Sequence, residues 1–168
     1  MKRRDFIISS GLMCCNSIPA FARKKNNILY SEMVLDLHTG NIIHQDNINI
    51  LIQPASLTKI MSLYLIFDAL DSNIINMDTI VTMTHDASKK PPTKLGLGAG
   101  DRINVANAIC AMTVHSCNDI TAMMADFITG SEHDFVKQMN KKAKELNLQK
   151  TKFTNPSGRP ESINISTA

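Results

Sequence analysis

Two residues near the first third of the sequence have the types and spacing that nucleophilic catalysis needs. Ser56 and Lys59 follow Pro54 and are three positions apart, which puts both side chains on one face of a helix that begins at the proline. A serine hydroxyl attacks well only when a base takes its proton, and a neutral lysine can be that base. The apolar residues around Lys59 predict burial, which lowers the pKa of a lysine from its ordinary value of about 10.4.

A second polar group, Ser116-Cys117-Asn118, falls at a predicted break between two helices. The serine hydroxyl can relay a proton there, and the asparagine amide can hold a substrate carbonyl. Serine and asparagine also cap helix ends, so this pattern alone leaves a structural role open, as it does for Ser56. The pattern recurs at Ser162-Ile163-Asn164, which by itself discriminates little.

The elements that must position these residues can be predicted from residue periodicity. A helix should begin at Pro54 and, being apolar nearly all round, should be buried. Strands, then helices and then a short extended piece predict an α/β protein with α+β layering. The predicted segments are a hairpin of residues 28–37 and 42–44, helices 54–70, 105–114 and 118–129, a helix after Ser131, an extended piece 151–154, and a loop-rich stretch 71–103.

The first 22 residues have the features of a secretory signal peptide. They combine three basic residues at positions 2–4, an apolar stretch over 6–15 and the ending Ala20-Phe21-Ala22. The Arg3-Arg4 pair leaves the Sec and twin-arginine routes both open. We therefore predict export to the periplasm and a mature chain of residues 23–168.

Composition and residue spacing exclude several classes of protein. The 168 residues are 43% hydrophobic and 20% charged, which is typical of a globular protein. A net charge of +3 without a basic patch argues against a nucleic-acid partner, and no apolar run reaches the roughly 18 residues of a membrane span. The five histidines lack metal-ligand spacing, so we predict neither a metal nor another cofactor. Cys110 and Cys117 are expected to be small, buried, free thiols.

Four segments taken together resemble one enzyme family. The chain is similar to the serine-type D-alanyl-D-alanine carboxypeptidases, the low-molecular-mass penicillin-binding proteins, over nearly the whole of residues 23–168. The segments that carry the resemblance, in order, are Pro54-Ala55-Ser56-Leu57-Thr58-Lys59-Ile60-Met61, Pro91-Pro92-Thr93-Lys94-Leu95-Gly96-Leu97, His115-Ser116-Cys117-Asn118-Asp119 and Phe153-Thr154-Asn155-Pro156-Ser157-Gly158.

The resemblance implies a fold, a reaction and a set of roles. The fold would be that of the β-lactamases and transpeptidases, and the substrate a peptidoglycan stem peptide ending in D-Ala-D-Ala. Ser56 would be the nucleophile and Lys59 its base. Ser116 would pass a proton to the leaving amine, and Asn118 would bind the substrate's peptide chain. β-Lactams would acylate Ser56 as substrate mimics.

The sequence departs from the family pattern at its third motif, Lys-Thr-Gly. His38-Thr39-Gly40 is similar but precedes the nucleophile, and Arg159 stands where the family usually has an apolar residue. We therefore expect a partial, truncated fold: an N-terminal β-hairpin and the helical active-site region, with the C-terminal sheet strands missing. Loss of one oxyanion donor on the missing strand would cost roughly 10²–10³ in rate.

Two alternative functions remain open from the sequence. One is a non-catalytic remnant that lacks the Lys-Thr-Gly motif. The other is a hydrolase similar to the class A β-lactamases, which share the serine and lysine motif. An α/β-hydrolase is excluded because the Gly-x-Ser-x-Gly elbow is absent, and a metallopeptidase because His-Glu-x-x-His is absent.

Overall fold

A computed structural model describes residues 30–168 of the chain, so the predicted signal peptide lies outside the described residues. The described part is a mixture of helices and short strands, as the sequence predicts. Its elements are β1 (Glu32–Leu35), β2 (Ile42–Asp46), a 3-10 turn (Ala55–Thr58), α1 (Lys59–Asp71), β3 (Ile80–Thr82), α2 (His85–Ser88), β4 (Arg102–Asn104), α3 (Val105–Val114), α4 (Asn118–Thr129) and α5 (Glu132–Glu145).

Strands β1 and β2 form the predicted antiparallel hairpin, with a register irregularity between Val34 and Leu35. The chain reverses between them at Gly40, whose φ of 73° favours glycine, and its N–H donates to Asp36 O at 2.8 Å. Farther along, the predicted extended piece contributes one antiparallel bridge, Lys152 to Ile165, rather than a strand.

The stretch 71–103, predicted as loops, contains two strands and a short helix. Strands β3 and β4 pair antiparallel, and α2 lies between them in the sequence. The prediction was wrong because each strand is three residues long, too short for alternation to show, and their pairing is not local. Thr84 and Asn104 cap α2 and α3, each accepting a hydrogen bond from a backbone N–H three residues on.

Helix α4 lies at the centre of the core. Its residues 118–125 are all buried, and it packs against α1, α3 and α5. The ends of α4 and α5 agree with the sequence: Gly130 ends α4 with a φ of 84°, and the Ser131 hydroxyl accepts from Asp134 N at the start of α5. Asn118, in the first turn of α4, is therefore fixed by a helix that is buried in the core.

Helix α1 is buried on one face only, so the prediction of a helix buried all round is wrong. Met61, Leu65, Ile66 and Ala69 face α4 and α5 and are buried. Ile60, Tyr64 and Phe67 are 65%, 42% and 44% exposed, because no element of residues 30–168 covers that face. No helix in the described range is long and apolar enough to cross a membrane.

Both described cysteines are free, and only one is buried. Cys117 lies in the core, as predicted. Cys110 is exposed, which contradicts the prediction, because α3 packs inward through Val105, Ala108, Ala111 and Met112 and position 110 lies on its outward face.

Candidate active site

Lys59, the first residue of α1, is the charged group at the centre of the candidate site. Its side chain is buried, with the residue 3% exposed. Its Nζ donates to Asn118 Oδ1 at 2.9 Å and to Ser157 O at 2.9 Å. Three distant parts of the chain (α1, the start of α4 and the 155–159 turn) therefore meet at one amine.

Burial lowers the pKa of Lys59 to about 8. Cys117 acts in the opposite direction, and the Arg159 guanidinium contributes a smaller lowering of the same pKa. At pH 7 about a tenth of such lysines are neutral, against well under one in a thousand for an exposed lysine. The site thus meets the condition set by the sequence, a lysine able to act as a base.

Ser56 lies in the 3-10 turn that leads into α1, and it is exposed. It lines two adjoining clefts. One, of about 530 Å³, is shared with Lys59 and Ser116. The other, of about 240 Å³, is shared with Asn118 and Ser157. The four site residues predicted from the sequence are therefore brought together around Ser56.

Ser116 occupies the break between α3 and α4 with a φ of 56°. A non-glycine residue in this left-handed region costs of order 1–3 kcal/mol, and such residues concentrate at functional sites. Its hydroxyl is buried and has no hydrogen-bond partner in the described part of the chain. Leaving a buried hydroxyl unpaired costs a further 1–3 kcal/mol or so, which a substrate atom in the cleft would relieve.

Asn118 is held by both ends of its carboxamide. Oδ1 accepts from Lys59, and Nδ2 donates to Pro91 O at 3.1 Å and to Pro92 O at 3.0 Å. These bonds fix the orientation of the amide, so that Oδ1 rather than Nδ2 faces the amine of Lys59. In the structure Asn118 orients the amine of Lys59, and substrate binding by Asn118 stays a prediction.

Asp119 is a supporting residue that the sequence analysis did not single out. Its carboxylate is fully buried and accepts from Leu95 N at 3.0 Å and Gly96 N at 2.9 Å. The loop that contacts Asn118 is thereby fastened to the start of α4. An acidic residue in the first turn of a helix was the available signal, but it does not reveal a partner 24 residues away.

The 155–159 turn is built by Asn155, whose role the motif alone did not reveal. Asn155 Oδ1 accepts from the backbone N–H groups of residues 157, 158 and 159 at 3.1, 2.7 and 3.0 Å. Gly158 has a φ of 79°, and a Cβ there would lie 1.7 Å from Ala55 O. The turn therefore packs directly on the backbone that precedes Ser56.

Asn164 has a definite structural role, although its motif was uninformative in the sequence. It is buried, and its Oδ1 accepts from Thr154 N and Asn155 N at 2.7 and 3.1 Å. Its Nδ2 donates to Thr58 Oγ1 at 2.9 Å. Asn164 thus fixes the 155–159 turn to the segment between Ser56 and Lys59.

No group of three or more His, Cys, Asp or Glu side chains within residues 30–168 is placed to hold a metal ion. The polar groups that line the site are a serine hydroxyl, a buried amine, a second hydroxyl and an amide.

The sequence profile of the D-alanyl-D-alanine carboxypeptidase family matches residues 22–168. The chain belongs to this family. It is 35% identical to the D-alanyl-D-alanine carboxypeptidase DacF of Bacillus subtilis, over 100% of this chain and 45% of DacF. It is 36% identical to DacD of Escherichia coli, over 91% of this chain and 43% of DacD.

Solved structures agree with this assignment. The D-alanyl-D-alanine carboxypeptidase DacD of Francisella tularensis aligns with a TM-score of 0.80 at 29% identity, over 99% of this chain and 38% of that chain. Penicillin-binding protein D2 of Listeria monocytogenes, in its ampicillin-bound form, aligns with a TM-score of 0.71 at 26% identity, over 82% of this chain and 56% of that chain.

These comparisons confirm the family and the fold predicted from the four segments. This chain spans less than half the length of the two curated relatives, and the described structure corresponds to part of the complete fold. The matched proteins are carboxypeptidases and penicillin-binding proteins, so the alternative of a class A β-lactamase is not favoured.

Proposed function

We propose that this chain carries the nucleophile-bearing part of a serine-type D-Ala-D-Ala carboxypeptidase that acts on peptidoglycan stem peptides. The observation that supports it most is the position of Lys59. This buried lysine lines the same cleft as Ser56 and Ser116. Desolvation provides the neutral base that the reaction requires. Family membership supplies the substrate class, cell-wall peptides that end in D-alanine.

In the proposed reaction, neutral Lys59 takes the proton of the Ser56 hydroxyl as its oxygen attacks the carbonyl of the penultimate D-alanine. The carbonyl–nitrogen bond then breaks, and the leaving nitrogen receives, through Ser116, the proton that Lys59 took, which leaves Lys59 neutral again. Terminal D-alanine departs, and an ester on Ser56 remains. Water, deprotonated by Lys59, hydrolyses this ester and regenerates the serine. Asn118 holds Lys59 in position and, in this proposal, also contacts the peptide chain of the substrate.

The same site is proposed to react with β-lactams, whose ring carbonyl takes the place of the peptide carbonyl. The ampicillin-bound form of the Listeria relative supports this ligand class. We also propose that residues 1–22 direct export to the periplasm and that residues 23–168 form the partial catalytic domain. The family match, which begins at residue 22, supports that boundary.

Release of D-alanine tests this function directly. The full chain is incubated with an N-acylated peptide ending in D-Ala-D-Ala, and free D-alanine is measured enzymatically. A peptide ending in D-Ala-L-Ala is the substrate control, and Ser56→Ala is the protein control. The proposal predicts stereospecific release that Ser56→Ala abolishes. Folded protein, verified by circular dichroism, that releases no D-alanine would favour the non-catalytic remnant.

A further inference from the structure

The charged side chains beside the smaller cleft form a group that the proposed reaction does not use. We propose that Arg159, held by Glu132, is a positioning residue that anchors the turn on which the amine of Lys59 is hydrogen-bonded and places a positive charge beside the site. This inference rests on the proposed function, because it concerns the base of that reaction. The resemblance predicts an apolar residue at position 159, so the role would distinguish this chain from its relatives.

The first support is the geometry of the ion pairs. Arg159 Nη2 donates to Glu132 Oε2 at 3.0 Å, and the two side chains are 14% and 20% exposed. The other carboxylate oxygen of Glu132 pairs with Lys90 Nζ. A single carboxylate, at the start of α5, therefore fastens Arg159 and the residue just before the Pro91-Pro92 loop to the same point.

The second support is the link from Arg159 to the base. Arg159 is two residues beyond Ser157, whose carbonyl accepts from Lys59 Nζ at 2.9 Å. It also lines the 240 Å³ cleft together with Ser56 and Asn118. Anchoring the guanidinium to Glu132 therefore restrains the short turn that supplies one of the two acceptors of the amine.

The third support is the balance of charge. Glu132 is shared by two cations, Lys90 and Arg159, and the second carboxylate beside Arg159, Glu161, is 59% exposed, so water screens its charge more than that of the partly buried guanidinium. Glu161 is the next carboxylate, 4.0 Å from Arg159 Nε, and that Nε has no hydrogen-bond partner in residues 30–168. A guanidinium is always charged, and a nearby cation disfavours protonation of an amine. Burial lowers the pKa of Lys59 most; the charged or titratable groups that act on it are Cys117, which raises it, and Arg159, which lowers it by a smaller amount.

The test compares a neutral variant, Arg159→Met, with the charge-conserving Arg159→Lys in the full chain. Lys142→Met is the matched control, because it breaks another partly buried ion pair, Lys142 to Asp68 at 2.8 Å, that lines neither cleft. Two readouts are taken from pH 6 to pH 10: the rate of acylation by a fluorescent penicillin, and the ¹³C NMR signals of lysines labelled at Cε. The signal of Lys59 is assigned by its absence in Lys59→Arg.

For Arg159→Met we expect acylation about threefold or more slower at pH 7, with part of the defect recovered at high pH, because protonation then no longer competes with base function while the turn stays unanchored. The Lys59 signal should titrate at higher pH in the same variant. Arg159→Lys and Lys142→Met should titrate as wild type does. An unchanged Lys59 titration in Arg159→Met, or an equal defect in Arg159→Lys, would overturn the inference.

The two readouts separate this inference from the proposed function. If Lys59→Arg were acylated at the wild-type rate, the proposed role of Lys59 as base would fail, while the NMR titration would still decide whether Arg159 controls Lys59. Circular dichroism and thermal melting verify that each variant is folded. Arg159→Leu, the residue type expected from the resemblance, is the second neutral variant if Arg159→Met does not fold.

Discussion

At the scale of single residues, the site depends on removing one amine from water. A lysine on most helices is protonated and solvated. The side chain of Lys59 is instead buried, and its Nζ donates to two acceptors, Asn118 Oδ1 and Ser157 O. Burial favours the neutral form, and the acceptors fix the position of the nitrogen. The reactivity proposed for Lys59 therefore rests on its environment rather than on the Ser-x-x-Lys spacing alone.

The lowered pKa of Lys59 predicts a pH dependence with a definite sign. Acylation by a penicillin should rise about tenfold per pH unit below pH 8 and level off above it, because the deprotonated amine is the active form. Lys59→Met should lower the rate by roughly 10²–10⁴ at pH 8 and above, which is typical of a lost general base, and the loss should shrink below pH 8 as Lys59 becomes protonated in the wild type.

The same pKa also predicts how stability depends on pH. Because the folded-state pKa of Lys59, about 8, is below the value of 10.5 for a free lysine, the unfolded chain binds more protons between these pH values. The contribution of Lys59 to the free energy of unfolding should therefore rise from pH 8 to pH 10.5. Lys59→Met should remove this rise in urea titrations. Were the rise retained in the variant, the assignment of the shifted pKa to Lys59 would be wrong.

At the scale of elements, the helices could be predicted and several contacts between segments could not. Gly130 and Ser131 marked the boundary of α4 and α5, because caps and periodicity are local signals. The β3 and β4 pair and the exposed face of α1 depend on which segments pack together, and local sequence does not encode this. The same distinction holds in the site, where the motifs suggested roles for Ser56 and Lys59 but none for the buried Asp119.

The packing of the 155–159 turn on the 3-10 turn gives a prediction at this scale. Gly158→Ala would place a Cβ 1.7 Å from Ala55 O at a left-handed φ of 79°, so the two turns must separate. We expect a loss of roughly 3 kcal/mol or more in the free energy of unfolding and slower acylation.

Gly40→Ala is the matched control for this substitution. Gly40 has a similar φ of 73°, but a Cβ there would meet no atom within 4 Å. Gly40→Ala should lower the free energy of unfolding by about 1 kcal/mol, the penalty of the left-handed conformation alone. Chemical unfolding of both variants measures the difference, and equal losses would show that the close approach of Gly158 to Ala55 is not important.

At the scale of the whole molecule, the site exists because segments about 100 residues apart meet. Lys59 and Ser157 are 98 positions apart, and Thr58 and Asn164 are 106 positions apart. A motif of the form Asn-Pro-x-Gly specifies a turn but does not show which part of the chain the turn contacts. This is why the family resemblance could predict the site residues while the bonds that join them required the structure.

Asn164→Ala tests this long-range connection. It removes the donor to Thr58 Oγ1 and the acceptor of Thr154 N and Asn155 N, and it leaves buried polar groups unpaired. We expect a loss of about 2–4 kcal/mol in the free energy of unfolding and a reduced acylation rate even where the variant is fully folded. Asn107→Ala, at an exposed position of α3, should change stability by less than about 0.5 kcal/mol. A fully folded Asn164→Ala that is acylated at the wild-type rate would contradict the link.

The measurement that tests the proposed site most directly is to map where a penicillin attaches. The full chain is treated with a labelled penicillin at pH 8, and its intact mass is measured. The protein is then digested, and the modified peptide is sequenced by mass spectrometry. One adduct per chain on Ser56, absent from Ser56→Ala, is the predicted result. An adduct that persists in Ser56→Ala, one that maps to another residue, or no adduct on folded protein would contradict the assignment of Ser56 as the nucleophile.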